Sequence, residues 1–179
     1  MNWLEEASRS PLSVRALVSI LGLNEKWVPL TRTSKFGDAM ATNATEATSA
    51  GLVTIASPHT PKETLDRLAK AVVDQGLAIV ARVDHAGAAA KVGLDLRPTE
   101  LLVFGNARAG TPLMQAAQLI GIDLPLRALA WQDEAGRTWL SYVDPVSLAD
   151  RHGILAATQK SVDHMNSVLR SVAAEATSR

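Results

Sequence analysis

The sequence predicts an α+β domain: a single mixed β-sheet in the order β-α-β-α-β-α-β-β-α, with helices packed on it and further helices at the termini. Three observations carry that expectation. From Gly51 onward, short apolar runs bounded by turn residues trade places with amphipathic stretches, the pattern of strands alternating with helices. Near the end two strand-like runs are joined only by Asp133-Glu134-Ala135-Gly136, a hairpin connection that interrupts the alternation and excludes a simple doubly wound sheet. At 179 residues, 47% of them hydrophobic, the chain is long and apolar enough for one real core.

The elements follow in order. Ser10-Pro11 opens a helix that Gly22 stops; it is apolar on nearly every side and needs the main body or a partner subunit to cover it. Thr31 to Ala50 turns to Thr, Ala, Ser, Asn and Gly with no period, and reads as a linker. Leu52 to Ala56 alternates as a strand. Thr60-Pro61-Lys62-Glu63 is a capping box, and the helix behind it puts Leu65, Leu68, Ala69, Val72 and Val73 on one face before Gly76 ends it. Leu77 to Val83 is a second strand, and Asp84-His85 leads into a short alanine-rich helix, Ala86 to Val92, stopped by Gly93.

The most informative stretch is Thr99 to Gly121. Leu101-Leu102-Val103-Phe104 is continuously apolar, the signature of a strand buried on both faces. A loop from Gly105 to Gly110 follows, and Thr111-Pro112 is expected to cap and start a helix. Leu126 to Gln132 and Thr138 to Val143 form the hairpin. Asp144-Pro145 begins a short helix ending near Gly153, and the helix from Leu155 to Ala174 carries a stripe of Val162, Met165, Val168, Leu169 and Val172. The expected organisation is therefore 1–50 as a helix and linker, 51–154 as the core domain, and 155–179 as a C-terminal amphipathic helix.

Composition removes several chemistries. Lys and Arg number 18 and Asp and Glu 18, so there is no basic surplus for nucleic acid. The absence of cysteine excludes disulfides, thiol nucleophiles, thiolate zinc sites and cysteine-ligated iron–sulfur clusters. No apolar run approaches the roughly 20 residues that span a bilayer, and the N-terminus lacks the basic-then-apolar order of a signal peptide. The expectation is a cytoplasmic protein with no membrane partner.

Two places could carry function. Gly105 to Thr111 has the glycine spacing of a phosphate-binding loop, but Thr111 and Pro112 stand where such a loop needs Lys and a hydroxyl residue, which argues against triphosphate hydrolysis. What survives is a ligand site at a helix N-terminus, for a small molecule, an anion included, with Gly105, Asn106, Arg108, Gly110 and Thr111 as its residues. The plainer reading is that the glycines turn the chain and Thr111 caps. At the end of the second strand, His85 and Asp84 are candidates for acid–base catalysis; if the second and third strands were parallel neighbours, they would share a crevice with Asn106 and Arg108. The plainer reading, favoured here, is that Asp84 caps the alanine-rich helix. No histidine pair has HExxH spacing, no metal site is indicated and no G-x-S-x-G elbow occurs; no cofactor is identified. Arg127, Trp131, Trp139 and Tyr142 on the hairpin suit an interface and a core about equally.

Residues from about Thr54 to Ile154 resemble the bacterial and archaeal family known as domain of unknown function 302. The resemblance rests on VDHAGAAAKVGLDLRPTELLVFGNARAGTPLMQAAQLIGIDLPLRALAW and on WLSYVDPVSLADRHGI, with Ala107 standing where members often have proline. It implies a small α+β domain that pairs as a homodimer, and supplies no catalytic residue to carry over. Three readings follow: a homodimeric small-molecule binding module, an enzyme using His85, Asp84 and Arg108, and a structural dimerisation module.

Overall fold

The capping box of Thr60 and Glu63 forms as its spacing dictates. The Glu63 amide donates to Thr60 Oγ1 (3.3 Å) and the Thr60 amide donates to Glu63 Oε2 (3.1 Å). Asp84 and Asp144 likewise cap the helices that follow them, accepting from the amides of Gly87 (2.7 Å) and Ser147 (3.1 Å). In a computed structural model that describes residues 46–49 and 51–179, these caps open three of the five α-helices. The helix expected between Ser10 and Gly22, and all of the expected linker up to residue 45, lie outside the described residues.

The elements in chain order are β1 (Glu46–Ser49), β2 (Leu52–Ser57), α1 (Pro61–Asp74), β3 (Ala78–Asp84), α2 (His85–Ala90), β4 (Thr99–Gly105) and α3 (Ala107–Ala116). A turn of 3-10 helix (Gln118–Ile122) precedes β5 (Leu126–Gln132), β6 (Thr138–Val143), α4 (Pro145–Arg151) and α5 (Leu155–Thr177). One six-stranded sheet runs in the order β1-β2-β6-β5-β4-β3, so the α+β class and the succession of elements from Leu52 onward are as expected. β1 is a correction, since four residues of the expected linker pair with β2 from Glu46↔Ile55 to Ser49↔Leu52. Backbone pairing does not require an apolar period, and Gly51, at φ +76°, takes up the left-handed turn beside it.

The sheet is antiparallel throughout rather than mixed. The segment after β3 does not cross the sheet: α2 stays packed beside β4, and β4 runs back antiparallel to β3.

The described helices cover one face only. α1 crosses β4 and β5, and α5 lies beside α1 and over β2. Between helices and sheet sits the core of Leu65, Leu68, Leu102, Phe104, Leu140 and Leu169, each at most 2% exposed. Leu101 and Val103 point the other way and stay half-buried. The run Leu101 to Phe104 is therefore buried on one face, not both, because no second helical layer among the described residues covers the sheet. Tyr142 joins the core at 3% exposure, while Arg127, Trp131 and Trp139 lie on the uncovered face. The C-terminal helix is as apolar inward as its stripe predicts, with Val162, Met165, Leu169 and Val172 all buried.

Candidate functional site

α3 begins five residues earlier than expected. Asn106 is its N-cap, accepting from the Arg108 amide at 2.8 Å, and Ala107 is the first helical residue. Thr111 and Pro112 lie inside the helix. Asn is at least as strong a cap as Thr, and Ala107-Arg108-Ala109 are good helix formers that extend the helix back to it. The expected loop from Gly105 to Gly110 is thus mostly the first turn of α3, and the backbone amides of Ala109 and Gly110 both donate to the Asn106 carbonyl at 3.0 Å. No cradle of free amides remains there for a phosphate.

What this helix start does border is a cavity of about 460 Å³. Its floor is Phe104 and Leu126 at the adjoining ends of β4 and β5; Leu77 and Val80 form one side. Met114 of α3 and Val168 of α5 close the others, and Pro125, after a cis peptide bond, stands at the rim. Val80 reaches the cavity at a bulge, where the β3–β4 register slips between Ile79 and Ala81, and it is 61% exposed. Gly105 passes so close to this rim that a Cβ there would sit 3.3 Å from Pro125 Cβ.

The polar contribution is small. Gln75, Asn106 and His164 are the polar side chains of the lining, which holds no Lys, Arg, Asp or Glu. Asn106 is already committed, with Oδ1 accepting from Arg108 and Nδ2 donating to the Gly76 carbonyl at 3.4 Å. Gln75 and His164 lie at the exposed mouth.

Of the residues singled out from sequence, Gly105, Asn106 and Gly110 line the cavity, whereas Arg108 and Thr111 are exposed and do not. Asp84 and His85 are not brought near it. Ala78 of β3 pairs with Gly105 at the cavity end, and Asp84 pairs with Glu100 at the other end. The length of β3 therefore separates His85 from Asn106 by about 20 Å. The shared crevice required parallel strands, and the antiparallel pairing removes it. Asp84 caps α2, as the plainer reading had it.

The apolar walls were not identified as a site from sequence. Val168 and Met165 were legible as a core stripe, and nothing in their spacing says that part of that stripe faces a cavity. His164 of α5 is at its mouth. Elsewhere His152 Nε2 meets Asp123 Oδ2 at 2.8 Å, and Arg127 and Arg151 approach the same carboxylate. This cluster ties the 3-10 turn to the end of α4.

A family model described as "Domain of unknown function DUF302" matches residues 53–172. The chain is 37% identical over 168 residues to a Brucella suis protein named fluoride-specific ion channel FluC 1, covering 90% of this chain and 66% of that protein. A Brucella melitensis protein named fluoride-specific ion channel FluC 2 is 45% identical over 115 residues, 64% of this chain and 43% of its own length. This chain thus spans less than two thirds of the length of those curated relatives. None of the described helices is long and apolar enough to cross a membrane. In structure, an uncharacterized conserved DUF302 protein from Bacillus stearothermophilus superposes with a TM-score of 0.64 at 18% identity, over 72% of this chain and 99% of its own. At that identity the likeness is one of fold. With the family model matched across most of the two-layer domain, this chain belongs to the family called domain of unknown function DUF302.

Proposed function

We propose that the domain binds a small, uncharged and largely apolar molecule in the cavity between α3, α5 and the adjoining ends of β3, β4 and β5. The observation that carries this reading is the lining: a concave site of about 460 Å³, walled by Leu, Val, Met and Phe, with a few polar groups at its mouth. That is the usual make-up of a small-molecule pocket. At about 30 Å³ per water molecule, the space accommodates a ligand of roughly 10 to 15 non-hydrogen atoms. An ion brought into such walls without a charged partner loses hydration that nothing replaces.

The anion reading has the names of the Brucella relatives on its side and no cationic side chain on the lining. Arg108 is exposed and not part of the lining, and the amides of Arg108, Ala109 and Gly110 at the start of α3 already donate to Asn106.

Amide NMR titration of the whole chain separates the two. Octanol should produce saturable shifts at Gly105, Gly110 and Gly121, while inorganic phosphate and sodium fluoride leave these signals in place. Saturable shifts with either anion and none with octanol would overturn the apolar reading in favour of the anionic one.

A further inference from the structure

The cavity is graded in polarity from one end to the other. Along α5 its lining passes from His164, exposed at the mouth, through half-buried Val168 to buried Met165 and Leu169. Gln75, the residue that ends α1, is exposed at the same mouth. At the floor, Phe104 and Leu126 are buried and offer no polar side-chain atom.

The mouth residues also differ from Asn106 in what they have left to give. Asn106 is held by Arg108 and Gly76. Neither the Gln75 amide nor the His164 imidazole bonds to another of the described residues. A carboxamide and a neutral imidazole each carry both a donor and an acceptor, so together they suit a group that does the same.

We infer that the occupant is a single-tailed amphiphile, an inference that rests on the cavity being the ligand site and adds the class of ligand and the direction in which it lies. Its tail, of roughly 8 to 12 carbons in the space available, lies against Phe104 and Leu126. Its one polar end sits between Gln75 and His164. Two features select such a molecule over a compact apolar one. A polar group carried to the floor would lose its water and find no side chain to replace it, whereas one left at the mouth keeps both water and partners. The wall beside the mouth is still apolar. Val80, on the β3 bulge, is 61% exposed, and a tail running from floor to mouth covers it where a compact molecule on the floor would not.

The test is calorimetric titration of the full chain at low ionic strength and about pH 8, where octanoate is an anion and octylammonium a cation. The wild type should bind 1-octanol at least tenfold more tightly than 1,8-octanediol, whose second hydroxyl has no partner at the floor. Charge at the mouth should then select the head. His164→Lys should tighten octanoate and weaken octylammonium, each about fivefold, and His164→Glu should do the reverse; fivefold is the effect of two unit charges about 4 Å apart in water. His164 is exposed, so neither substitution touches the core. If 1-octanol and 1,8-octanediol bind alike, or if both charged probes ignore the charge at position 164, the inference is overturned, while saturable 1-octanol binding keeps the cavity as the site. No binding of 1-octanol to the wild type overturns the cavity reading and this inference together.

Discussion

Asp133 shows how one side chain can hold a turn together. Its Oδ1 accepts from the amides of Ala135 and Arg137, both at 2.9 Å, and its Oδ2 from Arg137 Nε (2.8 Å) and Trp139 Nε1 (2.9 Å). The Trp139 indole and then the Arg137 amide and guanidinium favour the charged form and pull the carboxyl down to about 2. An unfolded aspartate titrates near 3.9. The folded value is the lower, so this stabilisation is complete above about pH 4 and is lost as the pH falls toward 2. Asp133→Asn should melt below wild type at neutral pH, and the gap should close across that window; a gap that ignores pH would contradict the assignment. Sequence alone showed Asp133 as a turn residue and not as an indole acceptor, because a turn signal is local and the indole arrives from the returning strand. The caps at Thr60, Asp84 and Asp144 were legible for the same reason of locality. Asn106 was not, because Thr111-Pro112, five residues further on, carries the stronger local signal for a helix start.

At the scale of elements, that proline has a consequence. Pro112 is the sixth residue of α3, past the first turn, where it supplies no amide and crowds the carbonyl of Arg108. Its side chain is exposed. Pro112→Ala should therefore raise the melting temperature, by an amount corresponding to about 1 kcal/mol or more; a lower one would mean that the start of α3 depends on the ring. β3 is the other exposed element. All seven of its residues are exposed, and its tie to the helical layer is Arg82, which pairs with Glu100 at 2.7 Å and with Asp66 of α1. Arg82→Ala should speed amide hydrogen exchange along β3 and leave β5 and β6 protected, with a modest loss of global stability of about 1 kcal/mol or less, as expected for partly exposed ion pairs. Uniform acceleration across the sheet would contradict it. The strands themselves were readable from period and turns. Their direction was not, because whether the segment between β3 and β4 crosses the sheet or turns back beside it is decided by tertiary packing and not by local pattern.

For the whole molecule, the described helices lie on one side of the sheet, and between α3, α5 and the adjoining ends of β3 to β5 they leave the cavity. That is not a local property, which is why the sequence yielded the glycines and Asn106 at the rim but not the apolar walls. Ala78 lies on the cavity wall, on an edge strand where an aromatic residue is well tolerated. Ala78→Trp should fill the space without disturbing the core.

Calorimetric titration of octanol into the wild type and into Ala78→Trp tests the account most directly. It predicts saturable one-site binding to the wild type, and at least a tenfold loss in a variant whose circular dichroism and melting are unchanged. Equal binding to both proteins, or none to the wild type, would contradict the claim that this cavity is the site.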